Sequence, residues 1–375
     1  MSRIFLSAPH ISGRERELVA EVFDSNYVAP TGQMLTRFES EVSSYCGIEH
    51  AVALSSGTAA IHLALLILGV GKGDEVWTSS MTFIGGASPI KYVQATPVFF
   101  DLCEQTWGID TALLEESLAI ASKQNRLPKA IIPTDLYGQA ADLDAILALA
   151  KKYGVAVVSD SAESLGAFAC GVHAGKGADA TVFSFNGNKI ITTSGGGMLL
   201  SDNKSFIEKA RYLSTQARQP VTHYEHTEIG YNYRLSNICA AIGVGQLECL
   251  EDKITSRRRI FDRYTRELAD IESLSFMPEP DGYRSTRWLS CATLNNDNAQ
   301  SLLSKLYVVC ENEQIEIRPL WKPMHMQPVF SGSRFVGSGV CERLFDIGVC
   351  LPSASSMTEN EQDRVIDVIR NVVAG

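Results

Sequence analysis

The chain has 375 residues, 45% of them apolar, and a formal net charge of −10. That length and apolar content suffice for a large core in two domains, and the acidic balance excludes a general nucleic-acid binder, whose phosphate-neutralising surface would be basic. No apolar stretch is long enough to span a bilayer and the N-terminus lacks a signal-peptide core, so a cytoplasmic protein with no membrane partner is expected. Nine cysteines, without a Cys-x-x-Cys pair or zinc-like spacing, read as small buried hydrophobes in a reducing compartment, and no metal is expected.

In chain order, Ser12-Gly13-Arg14-Glu15 reads as a capping box opening a helix to about residue 25, and a second helix closes near Gly47. From Ala51 strand and helix alternate, with strands at 51–54, 75–79, 98–101, 130–133 and 155–159 and helices at 59–68, 84–94, 110–123 and 142–153. Such alternation predicts a mostly parallel sheet with helices on both faces, its ligand beyond the carboxyl ends of the strands. Residues 181–185 then read as a buried strand, and 190–193, Gly195-Gly196-Gly197 and 198–200 as a hairpin, which places Lys189 on a tight connection. Helices at 203–215 and 236–270 enclose a polar loop, 216–235. The remainder mixes strands at 288–293 and 315–320 with helices at 298–312 and 358–373, the last behind a second capping box, Thr358-Glu359-Asn360-Glu361. It reads as a smaller α/β domain, so the expected division is 1–250 and 251–375.

Lys189 is the residue around which these elements are arranged. An amine held among Phe183, Phe185 and a glycine turn would be partly desolvated, hence nucleophilic toward an aldehyde. A Schiff-base lysine needs an electron-sink cofactor, a phosphate cradle and an acid facing the ring nitrogen. The turn Ser55-Ser56-Gly57-Thr58, between a buried strand and an apolar helix, points free N–H groups and the helix dipole at one place, which suits a monoester phosphate. Asp160, at the end of an apolar strand, can face a pyridinium nitrogen, and Glu163 can reach the ring edge from the same turn. Phe83 can stack on a flat ring, and Ser184 can add a phosphate contact. Taken singly, each has an ordinary structural alternative: a capped turn, a helix cap, a core phenylalanine.

The order Ser56-Gly57-Thr58, Thr82-Phe83, Asp160-Ser161-Ala162-Glu163, Ser184-Phe185-Asn186-Gly187-Asn188-Lys189 and Gly230-Tyr231-Asn232-Tyr233-Arg234 resembles the nucleotide-sugar aminotransferases of the DegT/StrS family. The resemblance runs over nearly the whole chain. It implies the aspartate aminotransferase fold (pyridoxal 5′-phosphate fold type I), with a mostly parallel seven-stranded sheet and a smaller C-terminal α/β domain. It further implies that Lys189 bonds to pyridoxal 5′-phosphate, that Asp160 pairs with its ring nitrogen, and that Glu163 lies near its hydroxyl. Gly57, Thr58 and Ser184 would hold the phosphate, with Phe83 over the ring and Ser56 and Asn186 also at the cofactor. Asn232 would reach the phosphate of a second subunit, so a homodimer with shared active sites is implied, the loop 216–235 lying between the subunits.

Two departures from the family pattern stand out. Thr193-Ser194-Gly195-Gly196-Gly197-Met198 replaces the usual Thr-Gly-Glu-Gly-Gly-Met, and Ser161 stands where alanine is usual. The segments 186–198, 214–218 and 318–325 look like the branch that aminates UDP-4-keto-6-deoxy-N-acetylglucosamine on the way to bacillosamine. L-glutamate is the implied donor and 2-oxoglutarate its product, in a ping-pong reaction. Cations for the sugar diphosphate are sought in Arg318, Lys322, His325, Arg218 and His223, with Trp321 and Tyr231 as apolar faces. A GDP- or dTDP-linked keto sugar is the alternative substrate, and a non-catalytic cofactor-binding regulator the alternative class. Family members that dehydrate sugars carry histidine in place of the lysine, and Lys189 argues against that activity.

Overall fold

The computed structural model describes residues 2–11 and 13–373. The strands in chain order are β1 (His50–Leu54), β2 (Glu75–Ser79), β3 (Thr96–Phe100), β4 (Ala130–Ile132), β5 (Ala156–Asp160), β6 (Phe168–Ala169), β7 (Val172–His173), β8 (Ala180–Ser184), β9 (Gly197–Ser201), β10 (Leu274–Phe276), β11 (Tyr283–Arg284), β12 (Ser290–Leu294), β13 (Arg318–Pro319), β14 (Arg334–Val336) and β15 (Gly348–Leu351). The large sheet has eight strands in the order β1-β9-β8-β5-β4-β2-β3-β14. All neighbours pair parallel except β9, which runs antiparallel to β1 and β8. The expected count was seven. The eighth strand, β14, arrives from the C-terminal part of the chain and adds itself to the edge at β3.

Side chains alternate across this sheet, and the alternation decides which helices cover which face. Val52, Leu54, Val158, Val182 and Leu199 pack under the helices Gly57–Ile67 and Lys204–Ser214. Ala51, Ala53, Phe183, Phe185, Met198 and Leu200 face the opposite way, onto the helices Glu15–Asp24, Gln33–Cys46 and Asn237–Glu248. On that same side, Trp77, Ile131 and Val157 meet the helices Thr111–Lys123 and Leu143–Tyr153. A second, antiparallel sheet, β10-β12-β15-β13, packs with the helices Leu250–Glu267, Ala299–Asn312 and Glu359–Val373 around its own core.

Several boundaries differ from expectation. The capping box at Ser12 falls on a residue outside those described; the helix begins at Glu15, whose carboxylate accepts the Gly13 N–H at 2.8 Å. Gly47 closes the second helix at φ +68°, a left-handed conformation that glycine adopts without strain. Thr358 and Glu361 do form a reciprocal capping box, Thr358 N–H to Glu361 Oε2 at 2.8 Å and Glu361 N–H to Thr358 Oγ1 at 3.2 Å. The helical stretch 236–270 breaks at Cys249 into two helices. The region expected as a strand at 315–320 is reduced to Arg318–Pro319. All nine cysteines are free; five are buried and Cys170 is exposed, so burial does not extend to the whole set. Among the described residues no helix is long and apolar enough to cross a membrane, and no group of side chains could hold a metal ion.

Where C-terminal residues meet the large sheet, Asp101 joins them. At the end of β3 its carboxylate accepts the N–H groups of Ser338, Gly339, Val340 and Cys341 at 2.8–3.0 Å. Those hydrogen bonds hold the carboxyl below its ordinary pKa despite its burial.

Candidate active site

The carboxyl ends of β1, β5 and β8 converge on a pocket of about 280 Å³. Of the residues expected at a cofactor site, Ser56, Gly57, Thr58, Phe83, Asp160, Glu163, Ser184, Asn186 and Lys189 all line it. Asn232 does not.

Ser56 caps the helix Gly57–Ile67 by accepting the Ala59 N–H at 3.0 Å. The N–H groups of Gly57 and Thr58, in the first turn, have no partner within the helix and face the pocket's floor. The glycines are a matter of space here. A Cβ on Gly197 would lie 2.3 Å from the Ser56 carbonyl carbon and 2.4 Å from the Gly57 nitrogen, so β9 reaches the turn only as bare backbone. A Cβ on Gly86 would lie 2.5 Å from Asp160 Oδ2.

The expected hairpin after Lys189 is not formed. Residues 186–196 make an irregular loop closed at its base by Thr193 N–H to Phe185 O and Phe185 N–H to Gly196 O, each 2.9 Å. The amine is not held among Phe183 and Phe185 either. Both are fully buried on the far face of the sheet, where Phe185 packs on Phe38 with centroids 5.0 Å apart and Phe183 on His173 at 5.7 Å. Strand parity explains this: Ser184 faces the pocket, so its neighbours point away. The Lys189 side chain is 10% exposed, and its Nζ lies 3.4 Å from Glu163 Oε1 and 4.1 Å from the centroid of the Trp288 ring.

Glu163 is held in turn by the Tyr137 N–H, donated to Oε2 at 2.8 Å. Asp160, 4% exposed, is approached by the Thr82 hydroxyl at 3.5 Å and the Ala162 N–H at 3.4 Å. Burial first, and the Glu163 carboxylate second, push its pKa up to about 7, against the pull of Lys189. A buried acid so poised can meet a cationic N–H partner and ionise at little cost. Thr134, which follows β4, also lines the pocket, and its buried hydroxyl has no hydrogen-bond partner among the described residues. These features fit pyridoxal phosphate: amides and hydroxyls at a helix N-terminus for its phosphate, an acid awaiting a ring nitrogen, an orphaned hydroxyl and an amine within one pocket.

Outside the pocket the expected substrate residues scatter. Trp321 stands at its rim, with its ring 5.7 Å from both Phe83 and Tyr137, and its main-chain N–H donates to the Tyr137 hydroxyl at 2.7 Å. His325 is committed elsewhere: Nδ1 meets Ser80 Oγ at 2.7 Å, Nε2 meets Glu342 at 2.8 Å, and the ring stacks on Phe335. Arg318 is exposed and paired with Glu316 at 2.7 Å, and Lys322 is half-buried beside it. In the loop 216–235, Arg218 stacks on Tyr224 and His223 lies exposed beside Glu225. Tyr231 stacks on Tyr233 at 5.0 Å over His62, and Asn232 is exposed, its side chain taken by Gln216 at 3.0 Å. Ser161 meets Ser159 Oγ at 3.0 Å behind the site. Sequence reasoning missed Trp288, Thr134 and Tyr137. Thr134 follows a strand's carboxyl end, as Asp160 ends one, and could have been found by that rule; nothing local marks Trp288.

The sequence model described as the DegT/DnrJ/EryC1/StrS aminotransferase family matches residues 9–370. EpsN of Bacillus subtilis (strain 168), named as a pyridoxal phosphate-dependent aminotransferase, is 48% identical over 98% of this chain and 95% of its own. A GDP-perosamine synthase of Caulobacter vibrioides is 34% identical over 100% and 99%. Among solved structures, a DegT DnrJ EryC1 StrS aminotransferase from Brucella abortus superposes with a TM-score of 0.88 at 29% identity, covering 96% of each chain.

Proposed function

The chain belongs to the DegT/DnrJ/EryC1/StrS aminotransferase family of pyridoxal-phosphate-dependent enzymes with fold type I, and from that premise we propose that it moves an amino group from L-glutamate to the keto carbon of a nucleotide-linked sugar. When bound, pyridoxal phosphate supplies an aldehyde and an electron-accepting ring. Ser56, Gly57, Thr58, Ser184 and Asn186 would hold its phosphate, Asp160 its ring nitrogen and Glu163 its hydroxyl, with Phe83 against the ring. Lys189 would anchor it and, once displaced, take a proton at Nζ from the donor's α-carbon and deliver it to the cofactor carbon that holds the transferred nitrogen. The observation that carries this reading is the convergence of Lys189, Glu163 and Asp160, from two separate strand ends, in one buried pocket.

For the acceptor we favour a UDP-linked 4-keto-6-deoxy-N-acetylhexosamine, on the resemblance of 186–198 and 318–325, giving a UDP-4-amino-sugar for bacillosamine-type glycans. A GDP-linked keto sugar is the second reading, favoured by the relatives named GDP-perosamine synthase. We place Trp321 against the sugar or base, and take 1–250 as the cofactor-binding unit and 251–375 as the smaller one. We also take the loop 216–235 as a homodimer surface. Tyr224 and Ile229 there are 79% and 83% exposed, and Asn232 lies off its own chain's pocket. Turnover of keto sugars charged on UDP, GDP and dTDP tests the acceptor. Purified protein that is yellow and bleaches with glutamate supports the reaction; a spectrum unchanged by glutamate, or normal turnover in Lys189→Ala, refutes it.

A further inference from the structure

We propose that Trp288 is a positioning residue for Lys189, holding both the amine and the main chain that carries it; this rests on the assignment of Lys189 as the reacting amine. Trp288 is 1% exposed, and it touches the lysine once and the residue before it once. Its ring face lies 4.1 Å from Nζ, and its indole N–H donates to the carbonyl of Asn188, the residue before the lysine, at 2.7 Å. The Ser7 hydroxyl donates to that same carbonyl, also at 2.7 Å.

Beneath them sits Arg257, wholly buried, which donates to the carbonyls of Trp288 at 2.5 Å and Ser353 at 2.9 Å and to Ser7 Oγ at 3.1 Å. Burial lowers its pKa to about 9, and a buried guanidinium is tolerated only while its partners stay fixed. Residues 7, 257, 288 and 353, far apart in sequence, thus fasten one carbonyl of an irregular loop.

The reason for such an arrangement lies in the lysine. Its long stem has many rotamers to give up when the amine is held, and the loop 186–196 has no sheet ladder along it to fix the Cα. Nearby, the main chain is pinned by Lys189 N–H to Asn186 O at 3.0 Å and by the two donors on Asn188. At the other end, the ring face packs against Nζ and limits the directions the stem can take. Trp288 therefore confines Nζ beside Glu163 while its indole N–H fixes the main chain one residue away.

The test uses full-length apoprotein mixed with pyridoxal phosphate, following the rate at which visible absorbance appears, then borohydride reduction and mass analysis of the labelled peptide. Trp288→Leu, which removes ring and donor, is expected to slow capture roughly 10- to 30-fold, the order expected when the lysine regains the rotamer freedom that the ring removes, and kcat in parallel, with KM for the sugar nucleotide within about twofold. Trp288→Phe keeps the face and loses only the donor, and is expected to fall between. Ser7→Ala, a far smaller change, is expected to slow capture about threefold, the order of one neutral hydrogen bond. Capture by Trp288→Leu within twofold of wild type would overturn the inference. Should that variant not fold, Trp288→Phe and Ser7→Ala carry the test, and wild-type rates in both would overturn it. Borohydride label on another lysine of the wild type would instead sink the assignment of Lys189 itself.

Discussion

Replacing Asp160 by asparagine in the cofactor-free protein isolates the cost of keeping an acid ready for the ring nitrogen. Its carboxyl is buried and rises from an ordinary 3.8 to about 7. Below pH 3.8 folded and unfolded chains both hold this proton, and the group contributes nothing to the pH dependence. Between 3.8 and about 7 the unfolded chain has released it while the folded chain retains it, so stability falls as pH rises. Three pH units at 1.36 kcal/mol each put the accumulated loss at about 4 kcal/mol above pH 7. Other buried groups titrate in both proteins and cancel in the comparison. Urea unfolding of the two apoproteins from pH 4 to 9 is therefore expected to show Asp160→Asn gaining on wild type across this window, then holding its advantage. With pyridoxal phosphate bound the order reverses, because the variant has no anion for the ring nitrogen, and kcat falls by roughly 10²-fold or more. Parallel pH profiles for the two apoproteins would refute the reasoning.

Two further outcomes follow from single atoms of the pocket. Gly197→Ala puts a methyl 2.3 Å from the Ser56 carbonyl carbon, about 1 Å inside ordinary contact, and is expected to cost about 1–3 kcal/mol in thermal unfolding and to weaken cofactor binding, measured by titration. Gly195→Ala, whose methyl meets nothing within 4 Å, is the control and is expected to match wild type in thermal unfolding. Thr134→Val removes the partnerless hydroxyl without changing shape, so the apoprotein is expected to gain about 1 kcal/mol while the cofactor dissociation constant rises several-fold; a loss of apoprotein stability would show that the hydroxyl is already bonded.

The parallel sheet was legible, β14 apart, because its other strands are short apolar runs closed by a turn, and the pocket because its residues sit at the ends of those runs. Ser56-Gly57-Thr58, Asp160 and Lys189 needed no knowledge of distant contacts to be placed at one edge of one sheet. The capping box at Thr358 was equally local: four consecutive residues hold all of its donors and acceptors.

What local pattern could not decide was direction and company. Phe183 and Phe185 were read as walls of the lysine's site, yet the pleat that turns Ser184 inward turns them out. The stretch 190–193 has the apolar character of a strand, but β9 pairs with β1 and β8 from Gly197 on, leaving 186–196 to bridge the gap as a loop. His325 looked like a cation for a diphosphate until packing engaged both its nitrogens. Nor could adjacency in the chain show that Ser7, Arg257 and Trp288 meet beside Lys189. A residue's neighbours along the chain determine its backbone tendencies and which strand end it marks; its neighbours in space are set by how two sheets and their helices close on each other, and here that closure is what brings Trp288 against the Lys189 amine.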